Sequence, residues 1–386
     1  MTIEHEATAS QQTQDVGLPA LKPDRDVAKF LISSTCPLDG RYDTSSLLIA
    51  EAMPGLGDRT AHLRQRHATG AHYAFTMAFR TPAADQGGFL IPQYDHVAEM
   101  MCGYLSVLYG KRFDYLGAIE SSGLFSLPNL RAMDSLADPA FATNSARPRA
   151  NFGFPLDLVE VGRLTNLMFG EGGTKMEATA FRGASKFYMR ALQTAEIDIE
   201  IAYLHLITAG EILAGAVEIP EDLLMAPQTR IHLGKIEAEM QGGEKIAGAL
   251  KRQARSVKRR FVEAFLALTD EAFFERSEAL QPYAALNKVT YRKVLGAAYD
   301  LRSRYVHSGE SFGSWIYPRG SGVEEIQSGR PVIKDKDFAK TLATAPTYSG
   351  LERVVRYGLL RFSERLGVQT MIASPDAIDD QSRIET

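Results

Sequence analysis

The stretch TYRKVLGAAYDLRSRYVH, residues 290–307, carries the clearest helical pattern of the chain. Its apolar residues recur at spacings of three and four, which places them on one side of an α-helix: Val294, Leu295, Ala298, Leu301 and Tyr305. Gly309 follows shortly after, and glycine favours the left-handed conformation that ends a helix. The pattern predicts a helix that packs on a core and carries polar residues at its C-terminal end.

Further helical patterns lie on both sides of this stretch along the chain. They cover residues 175–196, 197–215, 232–269 and 350–367, and the third is rich in Ala, Lys, Arg and Glu. Five helices with few strand signals between them indicate an all-α bundle. The sequence therefore predicts a helical domain over residues 175–370.

The preceding part of the chain has a different character. Three segments, KFLISSTCPL, SSLLIAEAM and AHYAFTMAFRT, are β-branched, aromatic and partly alternating, which predicts strands, whereas residues 96–112 predict a helix. The fold class is therefore α+β, with a mixed or β-rich N-terminal domain ahead of the helices. The predicted division is a disordered tail (1–27), the mixed domain (28–150), a linker rich in Pro, Gly, Asn and Ser (151–174), the helical domain (175–370) and a second tail (371–386).

Composition narrows the class of protein. The chain has 386 residues and a net charge of −4. It has only two cysteines, Cys36 and Cys102, and so few cysteines are typical of a protein from a reducing compartment. The first residues are polar and no apolar run reaches the length of about 18 that spans a bilayer, so we expect a cytoplasmic protein without a membrane partner. His62, His67 and His72 recur every five residues, a spacing that does not suit zinc. We expect no metal and no cofactor.

Two rival active-site signatures overlap at the end of the first stretch. Arg302 and His307 form Arg-x4-His, a ribonuclease signature, and residues 309–313 form Gly-Glu-Ser-Phe-Gly, the pattern of an esterase nucleophile. An esterase serine needs a strand before it, a helix after it and a histidine later in the chain. Here Ser311 follows a predicted helix, and His307 is the last histidine. The esterase hypothesis is therefore disfavoured.

The surroundings of Arg302 and His307 resemble a known family. The stretch AYDLRSRYVHSG is similar to the fourth-helix motif of the HEPN superfamily, in its ApeA-like branch, where Arg-Ser precedes Val-His. The segment FYMRALQTAEIDIEIAYLHLITAGEILAG resembles the first two helices of that branch, with Glu211 at the place of its glutamate. The resemblance covers about residues 175–370. It implies a HEPN-like bundle and a metal-independent endoribonuclease.

The implied chemistry agrees with these residue types. RNA supplies its own nucleophile, the 2′-hydroxyl, and an imidazole can take or give a proton near neutral pH. A guanidinium carries forked donors for a phosphate and stays charged. The resemblance thus assigns Arg302 and His307 as catalytic, with Glu211 and Ser303 in support, and predicts a 2′,3′-cyclic phosphate product. Many active family members carry Asn, Asp or His where this chain has Ser303.

Helix geometry raises a difficulty for this site. Five residues turn an ideal helix by about 500°, so the side chains of Arg302 and His307 point about 140° apart. Two arrangements would resolve it: the helix ends near Val306 and frees His307, or two copies face each other across a homodimer. We expect the homodimer.

A basic run, KRQARSVKRR, occupies residues 251–260. On one helix, Lys251, Arg255, Lys258 and Arg259 would share a face and could follow the phosphates of RNA. A solvated helix face, with its charge balanced by acids nearby, is the more usual explanation of such a run. The aromatic residues Trp315 and Tyr317 could stack on a base or simply pack their loop onto the protein.

Two functions from different classes follow. The first is a regulated ribonuclease, a toxin or antiphage effector of abortive infection, whose N-terminal domain receives an unknown trigger or regulator. The alternative is a non-catalytic HEPN-like module that binds RNA or a protein.

Overall fold

The computed structural model describes residues 25–52, 73–82, 93–121, 123–129, 140–170, 172–254, 256–318 and 322–370. It confirms the α+β class, with an antiparallel sheet near the N-terminus and most of the helices after it. The strands of these ranges are β1 (Arg25–Ser34), β2 (Arg41–Asp43), β3 (Leu47–Glu51), β4 (Tyr73–Pro82), β5 (Phe113–Ser121) and β6 (Leu124–Phe125). The α-helices of the same ranges are α1 (Asp95–Tyr109), α2 (Thr165–Phe169), α3 (Lys175–Thr194), α4 (Ile199–Gly215), α5 (Pro227–Glu239), α6 (Gly243–Ala254), α7 (Val257–Leu268), α8 (Glu271–Glu275), α9 (Lys288–Ser308), α10 (Lys336–Thr344) and α11 (Tyr348–Glu364).

The strands form one antiparallel sheet in the order β2-β3-β4-β1-β5-β6. Side chains alternate across a strand, and Ala28, Phe30 and Ile32 of β1 all point to the buried face. The strands predicted from alternation appear as β1, β3 and β4. Since β1 starts at Arg25, the last residues of the predicted tail 1–27 belong to the sheet, and residues 1–24 and 371–386 lie outside the described residues.

Helix α1 joins the sheet to the helical part of the chain. It covers the buried face of the sheet and packs on α3, where Gly103 allows close approach: a Cβ at this position would lie 3.4 Å from the backbone of Ser185. Residues from Tyr104 to Tyr109 are buried without a gap. One side of α1 therefore packs on the sheet and the other side packs on the helical bundle.

The bundle core contains α3, α4, α7, α9 and α11. Helices α4 and α11 each place a glycine against the ring of Phe265 on α7. A Cβ at Gly210 would lie 2.5 Å from Phe261 and 2.8 Å from Phe265, and one at Gly358 would lie 2.6 Å from Phe265. Aromatic rings of α7 thus fill the space that these glycines leave.

The long helix predicted over residues 232–269 is wrong, because the structure divides this segment into α5, α6 and α7. α5 ends before Met240, whose backbone is extended, and Gly242 with its positive φ of 74° turns the chain into α6. Ser256 then caps α7 by accepting a hydrogen bond from the backbone N–H of Arg259. Both breaks come from residues whose local conformation opposes a continuous helix.

The segment predicted as a linker, residues 151–174, contains a short 3₁₀ helix (Leu158–Leu164) and α2. Phe152, Phe154 and Leu158 are buried in it, and they belong to the same hydrophobic core as the sheet and the bundle. The core therefore runs through this segment without a break.

Two further properties concern the whole described chain. Cys36 and Cys102 are both buried as free thiols. None of the helices in the described ranges combines the length and the apolar character needed to cross a bilayer.

Candidate functional site

Arg302 lies on α9 and faces α4. Its Nη2 is 3.5 Å from Oε2 of Glu211, and 27% of its side chain is exposed. The hydroxyl of Tyr299 donates to Oε1 of the same carboxylate at 2.8 Å, and the guanidinium lies 5.8 Å from the centre of the Tyr299 ring. Burial, and then this hydrogen bond, raise the pKa of Tyr299 to about 12, so the hydroxyl remains a donor at neutral pH. Glu211 and Tyr299 therefore hold Arg302 from two sides.

His307 lies one turn and a half further along the same helix. The helix continues past it to Ser308 and ends at Gly309, whose φ is 66° and whose N–H donates to the carbonyl of Tyr305 at 3.0 Å. The His307 side chain is exposed, and no other described residue forms a hydrogen bond or ion pair with it. A free imidazole thus stands at the C-terminal end of α9.

The two predicted catalytic side chains do not meet within one chain. Because α9 is helical through both positions, they diverge by about 140°. The arrangement in which the helix ends near Val306 is therefore not the one adopted. Ser303 is half-buried and lies between them in angle, on the His307 side of the helix.

The predicted basic face of residues 251–260 is divided between two helices. Lys251 is on α6, and its Nζ donates to Oε1 of Glu237 at 2.6 Å. Lys258 and Arg259 are on α7, and Arg255 lies outside the described residues. The expectation of one shared face is wrong for Lys251, because the chain breaks its helix before Ser256.

Lys258 and Arg259 instead line a groove of about 670 Å³ between α7, α9 and α10. Three more cations line the same groove, and they escaped the sequence analysis: Arg292, Lys293 and Lys340. Two of these five are neutralised within the groove. Lys258 contacts both oxygens of Asp300 at 2.6 Å, and Arg292 donates two hydrogen bonds to Glu263. Arg292 and Lys293 are adjacent on the predicted helix, and this local pair of basic residues is the sequence signal that could have indicated them, whereas Lys340 carried no such signal.

The serine of the esterase signature is engaged by a carboxylate. Ser311 Oγ donates to Oε1 of Glu200 at 2.7 Å, and the backbone N–H of Gly313 donates to the same oxygen at 3.0 Å. The serine stands in a loop between α9 and a 3₁₀ turn (Gly313–Ile316), not between a strand and a helix. Its role here is to fix this loop to the start of α4.

The remaining sequence candidates are placed as follows. Tyr317 stacks on Phe141, with the ring centres 6.3 Å apart, so it packs its loop onto the protein. His62, His67 and His72 lie outside the described residues. Among the residues that are described, three or more His, Cys, Asp or Glu side chains do not gather in a way that could hold a metal ion.

Comparisons with protein families, with curated proteins and with solved structures find no match to this chain. The resemblance to the HEPN superfamily therefore rests on the two sequence segments alone.

Proposed function

We propose that this chain is a metal-independent endoribonuclease with a HEPN-like helical bundle, and that two copies complete its reaction centre. The observation that carries the proposal is His307 at the end of α9, whose exposed side chain has no hydrogen-bond or ion-pair partner among the described residues. An imidazole so placed is free to exchange a proton with a bound substrate.

The reaction needs one base and one cation at the same phosphate. His307 takes the proton of the ribose 2′-hydroxyl, the 2′-oxygen forms its bond to phosphorus, and the bond from phosphorus to the 5′-oxygen breaks. The leaving oxygen receives its proton from the imidazolium or from water. Arg302 donates to the phosphorane oxygens, where a forked guanidinium stabilises the developing charge.

A second copy of the chain brings an arginine and a histidine to the same phosphate. Since Arg302 and His307 diverge on one helix, His307 of one copy works with Arg302 of the other across a two-fold axis. Glu211 and Tyr299 serve as positioning residues, because they fix the guanidinium while leaving part of it open.

By resemblance, the biological setting is cytoplasmic antiphage defence by abortive infection. RNA cleavage is toxic to the cell that carries out the reaction, so the enzyme has to stay silent until triggered. The N-terminal sheet with α1 is the proposed receiver of that trigger, because α1 packs on both the sheet and the bundle.

The test is cleavage of a 5′-labelled RNA oligonucleotide in the presence of EDTA. We expect products ending in a 2′,3′-cyclic phosphate, identified by mass spectrometry, and no cleavage of the matched DNA. His307→Ala and Arg302→Ala should each abolish cleavage, whereas His96→Ala on α1 and Arg330→Ala in the loop before α10, both exposed, should leave it unchanged.

Mixing the two inactive variants tests the composite site. Random exchange of subunits gives half heterodimers, each with one intact pair of His307 and Arg302, so activity should return to about a quarter of the wild-type value. No recovery after confirmed subunit exchange would contradict the composite site.

The alternative is a non-catalytic RNA-binding module. It is favoured by the contact between Arg302 and Glu211, which compensates the arginine charge before any phosphate arrives. RNA that binds and stays intact at every protein concentration would support this alternative against the nuclease.

A further inference from the structure

The groove between α7, α9 and α10 has an unequal charge balance. After the pairs of Lys258 with Asp300 and of Arg292 with Glu263, three lining cations remain: Arg259, Lys293 and Lys340. None of these three has an ion-pair partner among the described residues, and the one remaining acid of the lining is Asp337. The groove therefore presents surplus positive charge to solvent from three helices.

The lining of the groove on α9 ends at Asp300, and His307 lies about two turns further along the same side of this helix. Lys293, Gly296, Asp300, Ser303 and His307 are spaced by three or four residues, so they form one stripe along α9. With a rise of about 1.5 Å per residue, the stripe from Lys293 to His307 is about 21 Å long. Arg302 is outside this stripe, and the groove and the imidazole thus share one side of the helix.

In the middle of this stripe, Gly296 has no side chain and leaves space above the helix. The side chain of Lys258 lies across Gly296, and a Cβ there would be 3.5 Å from its Cε. The residues that line the groove include no aromatic side chain within the described ranges. A ligand held here is bound through charge and not by stacking of its bases.

We infer that this groove binds the phosphates of single-stranded RNA and leads the strand to His307. The inference rests on the proposed function for the identity of its ligand. A volume of about 670 Å³ suits a few nucleotides of one strand and is too small for a duplex to enter. Contacts to phosphates alone carry no base readout, so binding should show little sequence preference.

The test uses RNA that cannot be cleaved, a fluorescent 2′-O-methyl oligonucleotide of mixed sequence, with affinity measured by fluorescence anisotropy. Three phosphate contacts to a single strand give a salt slope of about −2, so affinity should fall about 20-fold between 50 and 200 mM salt. Lys293→Gln and Lys340→Gln should each reduce this fall to about 7-fold, and the double variant to about 3-fold.

The matched control is Lys245→Gln, an exposed lysine of α6 that does not line the groove. It removes the same charge and should keep the wild-type salt slope. Thermal melting of every variant verifies that the fold is intact. Equal slopes for Lys293→Gln, Lys340→Gln and Lys245→Gln would overturn the inference, and so would poly-glutamate binding as tightly as the RNA, which would indicate an acidic protein partner.

The outcomes for the groove and for the nuclease are separable. If uncleavable RNA binds in a way that depends on Lys293 and Lys340 but ordinary RNA is not cleaved, the result supports the groove as an RNA-binding site and contradicts the nuclease. If cleavage depends on His307 but binding does not depend on Lys293 or Lys340, the result supports the nuclease and contradicts the groove as an RNA-binding site.

Discussion

Replacing Arg149 by methionine should destabilise the fold more than any surface change, because it leaves two buried carboxylates without their cation. Arg149 donates to Glu352 at 2.9 and 2.8 Å and to Glu278 at 3.0 and 2.6 Å. Side-chain exposure is 2% for Arg149, 8% for Glu278 and 2% for Glu352. Tyr188 adds a further hydrogen bond to Glu352, which ties α3 to α11.

Loss of one member of a buried ion pair costs about 3–5 kcal/mol, since the remaining charge is neither solvated nor compensated. With a urea dependence of about 3 kcal/mol per molar, the unfolding midpoint of Arg149→Met should fall by about 1–1.7 M. The measurement is urea unfolding followed by far-UV circular dichroism. Arg147→Met is the matched control, because Arg147 is exposed two residues away and has no ion-pair partner among the described residues.

A second variant tests the cause. In Arg149→Met combined with Glu352→Gln, one of the two uncompensated charges is gone, so the double variant should be more stable than the sum of the single effects by about 1–3 kcal/mol. Additive effects, or a midpoint for Arg149→Met equal to that of Arg147→Met, would refute the reasoning.

Two further perturbations have outcomes that follow from packing and burial. Burial lowers the pKa of Lys111 to about 8. Between pH 8 and about 10.5 this lysine is therefore less protonated in the folded chain than in the unfolded chain. Because stability rises with pH in that range, the free energy of unfolding of the wild type should rise by up to about 3 kcal/mol relative to that of Lys111→Met. Urea midpoints at pH 7.5 and 10.5 measure this difference, and a constant gap between the two proteins would contradict it. Gly210→Ala drives a methyl group into the rings of Phe261 and Phe265 and should cost about 1–3 kcal/mol, whereas Gly215→Ala, in open space on the same helix, should be neutral or stabilising. Thermal melting compares them, and equal melting temperatures would contradict the close packing of α4 on α7.

Local signals in the sequence explain much of the fold. Thr174 and Glu177 form a capping box at the start of α3, Asp198 caps α4, and Gly309 ends α9 in the left-handed conformation. Each signal acts within one turn of helix, so neighbouring residues suffice to predict it. At residues 232–269 the helix-favouring composition predicts one long helix, but two short breaks divide the segment into α5, α6 and α7.

Strand β5 was missed for a related reason. Residues 113–121 carry little alternation and include Gly117 at a φ of 127°, so the segment reads weakly as a strand on its own. Its partner β1, about 80 residues earlier in the chain, provides the ladder of hydrogen bonds that makes it one. Such pairing between distant segments cannot be inferred from local pattern.

The amino-acid sequence alone determined the α+β class, the helix that carries Arg302 and His307, and their divergence of about 140°, because all of these depend on periodicity and on residues close in the chain. Only the tertiary structure decided that Glu211 and Tyr299 hold Arg302, that no described residue pairs with His307, and that Lys293 and Lys340 line one groove with Arg259. Charges far apart in sequence meet only where helices pack, and whether each one is neutralised or left open to a ligand depends on that packing.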